Sequence, residues 1–378
     1  MKKLFVLPLA FTLLASMAFA GGSTEAPKTA VKAKIGLVFD LAGRGDNSFN
    51  DSAYNGFVML AKEYKGWIEG ANNPNFGKSV QLKYAEPKAG GQDRETLMRA
   101  LAEEGYNPIY GIGFAFADSI AKVAKDFPKT QFVGIDVFVD GLKDTSNITC
   151  VAFKENEGSF LVGAIAALKS GGKKVGFLGG VDIGLIHRFD NGFQAGVMYV
   201  SPAHRAPGMI LSQYISKEFT GFNDPKGGYD ISMNLYKQGC SIIYHAAGGS
   251  GDGLFKAAME TGNLGIGVDS DQGLVYAASS DAAVKDRAKF VMTSMMKRVD
   301  MGVFSTAKEF IDKGKLAGGY RTLSLADDGV GYTVNDLNKA QLADIQPKIE
   351  ELKKKIISGE IKVPDESSDM AAWAKTLK

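Results

Sequence analysis

The chain has 378 residues, 45% hydrophobic and 23% charged, values that exclude wholesale disorder and leave room for one large or two medium domains. Glycine is abundant, at 46 residues, as expected where many strands turn tightly into helices. The 44 basic and 42 acidic residues nearly cancel, which argues against nucleic acid or an anionic membrane surface as a general partner.

At the start, Lys2 and Lys3 precede the apolar run Leu4 to Leu14 and then Ala18-Phe19-Ala20. This pattern predicts a secretory signal peptide over residues 1–20, too short to span a membrane. Its removal takes away two lysines and no acid, so the mature chain is expected to be formally neutral. No cysteine stands near the predicted cleavage site, so no lipobox is read and a freely soluble, periplasmic product is expected. No other run of 18 apolar residues occurs, and no transmembrane helix is predicted. Residues 21–33, small, polar and proline-containing, read as a flexible leader.

From Lys34 onward, short apolar runs alternate with stretches of helical period, the sign of βαβ units and parallel sheets. The predicted strands are 35–40, 80–84, 109–112, 131–136, 148–153, 174–178, 209–215, 241–245 and 264–269. Helices are predicted at 50–64, 92–104, 118–127, 156–169, 188–199, 230–238 and 253–260. Two long amphipathic stretches follow, about 285–313 and 335–358. Nine strands are too many for one ordinary sheet, so two doubly wound α/β lobes are expected, with 148–153 as the first crossing. Cys150 and Cys240, the only cysteines, sit in apolar strand-like surroundings and read as buried free thiols, with a single bridge as the alternative.

Open sheets of this kind gather ligand groups at the carboxyl ends of their strands. Three predicted strands end in an acid: Ile35 to Asp40, Val133-Gly134-Ile135-Asp136, and Ile266-Gly267-Val268-Asp269. These acids would bracket a cleft; the other role open to each is capping the following helix. Recognisable catalytic and metal motifs are missing. The three histidines form no metal-binding pair, no G-x-S-x-G elbow or phosphate loop occurs, and Asp269-Ser270-Asp271 lacks the rest of a calcium loop. His245 reads as a hydrogen-bonded core or cleft-wall residue. The glycine-rich stretch from Gly248 to Gly253 would let a ligand approach bare backbone amides, or serve as a plain tight turn.

Five segments carry a resemblance. They are Ile35 to Asp40 with Gly45-Asp46-Asn47-Ser48-Phe49-Asn50; Asn156 to Gly163; Ala246-Ala247-Gly248-Gly249; Ile266 to Gln272; and Thr293 to Asp300. In this order, spanning roughly residues 34 to 365, they resemble the basic membrane protein family of substrate-binding proteins, whose best-understood branch comprises purine nucleoside receptors. The resemblance implies the periplasmic-binding-protein type I fold, two lobes joined by a hinge that the chain crosses three times. Lobe one would comprise 34–150 and 290–322, and lobe two 151–289 and 323–378. It implies a monomeric, non-catalytic, cofactor-free receptor that closes on a nucleoside and delivers it to the membrane permease of an ABC importer.

The implied contacts are Asp40 to the edge of the purine, Phe49 and Phe222 stacking on its two faces, and Asp136 and Asp269 to the ribose hydroxyls. Backbone at Gly248 and the ammonium of Lys297 would complete the sugar end. Asn50 would orient the stacking loop or touch the base, and Phe189 would form part of the cleft wall. A different polar ligand such as a sugar, or an exported nucleoside-processing enzyme, are the alternatives. Residues 66–78 look like an insertion relative to the family.

Overall fold

Parallel strands buried on both faces need long apolar runs and helical crossovers, and the alternation described above supplies both. The computed structural model describes residues 31–88 and 91–377; the predicted signal peptide and residues 21–30 of the predicted leader lie outside them. The strands are β1 (Ala33–Val38), β2 (Trp67–Ile68), β3 (Val80–Ala85), β4 (Ile109–Ile112), β5 (Phe132–Ile135), β6 (Ile148–Phe153) and β7 (Lys174–Val181). Then come β8 (Ile210–Ser216), β9 (Cys240–Ala246), β10 (Leu264–Asp269), β11 (Val291–Lys297), β12 (Gly319–Leu323) and β13 (Val330–Tyr332). The first sheet runs β12-β6-β5-β4-β1-β3-β2 and the second β13-β11-β10-β9-β7-β8. Every pairing is parallel except β11 with β13. All nine predicted strands are present, with ends shifted by no more than three residues.

The two long amphipathic stretches need correction. The first contains a short helix (Ala282–Asp286), a 3-10 turn (Arg287–Phe290), β11, and a helix (Val299–Lys313). The strand is hidden in Val291-Met292-Thr293-Ser294-Met295-Met296-Lys297 because it is covered on both faces and so shows no alternation. No glycine or proline separates it from its neighbours, and its three methionines favour helix in isolation. The second stretch breaks into Lys339–Leu342 and Gln346–Ile357. Pro347 falls in the first turn of the latter, where its missing N–H costs nothing.

Sheet membership changes three times along the chain, after β6, after β11 and after β12. The first change comes past Phe153, the second past Lys297, because β11 belongs to the second sheet, and the third past Leu323. The helices Glu155–Lys169 and Gly184–Val200 cross so closely that a Cβ at Gly163 or Gly196 would collide with the carbonyl oxygen of Phe193 or Phe160. Residues 66–78 add the edge strand β2 beside β3 and fold back through a Trp67–Asn75 bridge.

Cys150, in the first sheet, and Cys240, in the second, are both free and buried. Burial pushes each thiol up to about 11, and the thiolate is the reactive form. Neither should react with an aromatic disulfide reagent in the folded protein, and both should react in denaturant; rapid native labelling of either would contradict this burial.

Candidate functional site

The carboxyl ends of strands from both sheets face one cavity, which encloses about 660 Å³ of non-atom space, part of it open to solvent. The first sheet contributes Asp40 after β1, Gly113 and Phe114 after β4, and Asp136 after β5. The second contributes Ala246 and Gly248 at the end of β9, Asp269 ending β10 and Lys297 ending β11. In the first sheet β1 lies between β3 and β4, and in the second β7 lies between β8 and β9. Strand order reverses there, which opens a crevice at the strand ends. Phe49 and Asn50 reach the cavity from the start of the helix Phe49–Glu63, and Phe222 from the 3-10 turn Phe219–Phe222. All eight residues singled out in the sequence (Asp40, Phe49, Asn50, Asp136, Phe222, Gly248, Asp269 and Lys297) line this one space, as does Phe189.

Asp136 and Asp269 share a local geometry as well as a local sequence. Their φ angles are 59° and 64°, in the left-handed region that aspartate tolerates better than most residues. Each turns abruptly off its strand end, aiming the carboxylate across the opening instead of capping a helix. Such backbone strain persists where the surroundings over-determine it, typically at binding sites.

Lys297 is the only cation lining the cavity among the described residues. It is 1% exposed, donates to Asp136 Oδ2, and stands 2.8 Å from Glu155 Oε1. Its ammonium is also surrounded by the rings of Phe49, Phe153 and Phe189, at 5.2–5.3 Å from their centroids, an arrangement that stabilises a buried cation. Burial alone would lower its pKa, but Asp136, Glu155 and Asp269 lift it above the ordinary lysine value. The acids outnumber it. Burial pushes Asp136 up to about 6 and Asp269 up to about 7, with Lys297 opposing both shifts. Asp136 Oδ1 is buried and accepts no hydrogen bond among the described residues, so it remains available to a donor entering the cavity.

Contacts across the opening join the two sheets. Ser48 Oγ donates to Asp269 Oδ2, and Ser270 Oγ donates to the Ser48 carbonyl at 3.2 Å. Asp46 organises the loop that presents Phe49. It accepts from the backbone N–H groups of Ser48, Asn50 and Asp51 at 2.8–3.1 Å, and burial pushes its carboxyl up to about 6. Asn50 ties this loop to Asp40: its Nδ2 donates to Asp46 Oδ2 and its Oδ1 accepts from the Asp40 N–H at 2.9 Å. Phe222 is held from the second sheet by Ser250, whose hydroxyl donates to the Gly221 carbonyl at 2.7 Å. The rings of Phe114 and Phe219, one from each side of the opening, meet at 4.9 Å.

Sequence reasoning missed several of these groups. Glu155 sits in Lys154-Glu155-Asn156-Glu157, which reads as an ordinary polar helix start, yet it is fully buried against Lys297. Arg94, paired with Asp40 at 3.0 Å, is 54 residues away in sequence. Phe114 and Phe219 carried no local signal. His245 is a core residue with Nε2 at 2.8 Å from Gln272 Oε1, and burial lowers it to about 4. Among the described residues no cluster of three or more His, Cys, Asp or Glu could hold a metal ion, and no helix is long and apolar enough to cross a membrane.

Comparison with known proteins agrees with this architecture. The family model for PnrA-like ABC transporter substrate-binding proteins (Bmp) matches residues 32–367. The chain belongs to this family. Among its relatives, the CD4+ T-cell-stimulating antigen of Listeria innocua is 35% identical, over 88% of either chain. The ABC transporter nucleoside-binding protein BmpA of Lactococcus lactis is 31% identical, over 91% of this chain and 92% of its own. An ABC-transporter solute-binding protein from Aeropyrum pernix superposes with a TM-score of 0.74 at 26% identity, over 91% of this chain and 96% of its own. Other family relatives are named lipoproteins. The chain is therefore an ABC-transporter substrate-binding protein of type I fold, and its cavity opens at the carboxyl ends of strands from both sheets.

Proposed function

We propose that this family member is a non-catalytic, periplasmic receptor for a nucleoside, in particular a purine nucleoside, which it delivers to the permease of an ABC importer. Each sheet with its helices acts as one lobe, and the three crossings act as the hinge. The observation that carries this reading is the composition of the cavity wall. Five phenylalanines (Phe49, Phe114, Phe189, Phe219 and Phe222) line it together with Asp40, Asp136 and Asp269. A nucleoside has a flat aromatic half, suited to stacking, and a sugar half whose hydroxyls donate well to carboxylates. Asp136 Oδ1 is an acceptor waiting for such a donor. Among the described residues lining the cavity the one cation, Lys297, is shared between Asp136 and Glu155, which leaves no charge to receive a phosphate, so the guest is the nucleoside and not the nucleotide. The Lactococcus relative, named for nucleoside binding, supports the same class.

Binding across the opening would favour the closed form by the difference in affinity for the two states, and the permease would read that form. Calorimetric titration of the mature protein with nucleosides tests the reading. Saturable binding is expected, and Phe49→Ala should weaken it by about 1–3 kcal/mol, the scale of stacking on a base. Tight binding of a free sugar with none of any nucleoside, or release of free base from inosine, would overturn the proposal.

A further inference from the structure

Asp40 is held by one residue outside the cavity wall. Arg94, at the start of the helix Arg94–Glu103, places Nη2 3.0 Å from Asp40 Oδ1. The same Oδ1 accepts from the Leu41 N–H at 2.8 Å. Asp40 Oδ2 accepts no hydrogen bond among the described residues, and Asp40 lines the cavity. The guanidinium is fixed in turn: Nη1 donates to the Gly91 carbonyl at 3.0 Å, and the group lies 5.5 Å from the Phe116 ring centroid. Both partners are largely buried, 11% and 14% exposed at their side chains. Among the described residues Asp40 is the only carboxylate within ion-pair reach of Arg94.

We propose that Arg94 is a positioning residue that turns Asp40 into a one-oxygen acceptor and thereby selects nucleosides whose base presents an N–H donor. The inference rests on the nucleoside reading above and deepens it. Burial disfavours the Asp40 anion and Arg94 opposes that cost, so the carboxylate can stay charged in a poorly solvated site. Because Oδ1 is committed to Arg94 and Leu41, a base can be read by Oδ2 alone. A 6-oxopurine offers its ring N–H to that oxygen. Unsubstituted purine offers only a ring nitrogen lone pair, which would face an unshielded anion.

The test compares Kd for inosine and for purine riboside, which share the sugar, so that effects at Asp136, Asp269 and Lys297 cancel in the ratio. The wild-type protein should prefer inosine by about tenfold or more, the scale of one hydrogen bond to a charged group. Arg94→Met should reduce this preference to about threefold or less, and Arg94→Lys, which keeps the charge, should restore most of it. Asp40→Asn supplies an arm that leaves Arg94 intact: its single oxygen would stay with Arg94 and Leu41 and its NH2 would face the cavity, so the preference should invert toward purine riboside. Undiminished inosine preference in Arg94→Met, or in Asp40→Asn if the methionine variant does not fold, overturns the inference while nucleoside binding stands. Failure of the wild-type protein to bind either compound overturns both.

Discussion

Replacing Lys297 with methionine is expected to cost about 3–5 kcal/mol of folding free energy, the usual result of removing one partner from a buried ion pair. Methionine fills the space between Phe49, Phe153 and Phe189 but leaves Asp136 buried without its ion-pair partner and Glu155 with Arg188 alone, 3.2 Å from its Oε2. The side chains of these two carboxylates are only 4% and 0% exposed, so water cannot replace the ammonium. The raised pKa of Lys297 means that its stabilisation is fully present below the unfolded lysine value, and it disappears only as pH rises through the still higher folded value. Between pH 5 and 9 the titration of Lys297 itself therefore adds no pH dependence. The penalty in the variant should nevertheless shrink near pH 5. Asp136, already pushed up to about 6, can then take up a proton that does the neutralising. Urea denaturation at pH 8 and pH 5 measures both effects, and adding Glu155→Gln to the variant should recover part of the loss. A cost below about 1 kcal/mol at pH 8 would show that Lys297 does not neutralise a buried cluster.

Asp269→Asn is expected to do the opposite: stabilise the ligand-free protein and weaken binding. Burial raises the Asp269 pKa from 3.8 to about 7, only partly opposed by Lys297 and by the Ser48 hydroxyl. Between these values the folded state holds a proton that the unfolded state has released, so stability falls as pH rises from about 4 to about 7 and is flat above. At pH 8 the full penalty is present, with an upper bound of roughly 4 kcal/mol from that shift. Asparagine keeps the size, tolerates the left-handed backbone, and can still accept from Ser48 through its carbonyl oxygen. The variant should gain about 1–4 kcal/mol at pH 8 and lose part of the pH dependence between 5 and 8. Its nucleoside affinity should drop, since a neutral amide accepts a hydroxyl less strongly than a carboxylate. Equal or lower stability at pH 8 would remove Asp269 from the strained, functional role given to it. Such opposed effects are typical of residues retained for binding at a cost in stability.

Much of this molecule was readable in one dimension. The acids after β1 and β5 and at the end of β10 announced themselves because a parallel α/β sheet directs its strand ends to a single rim. Asp136 and Asp269 repeat even the glycine two residues before, and they repeat the backbone twist. Phe49, Phe222 and Lys297 were a different matter. Nothing in their periodicity separates them from core or surface residues, and they were found through the family resemblance. Glu155 and Arg94 were legible by neither route. A glutamate beginning a helix, and an arginine beginning another, are ordinary where solvent is near, and their partners lie on other strands.

The order of apolar runs and turns along the chain was enough to establish two doubly wound sheets with acids at their rims, because those patterns depend on neighbours a few residues apart. Which residues share a charge did not follow from it. Lys297 pairs with Asp136 and Glu155, Arg94 with Asp40, and Ser48 with Asp269, across separations from 54 to 221 residues. Even the strand that carries Lys297 was hidden inside a long amphipathic stretch. Burial from both sides had erased its alternation, and only pairing with β10 and β13 makes it a strand.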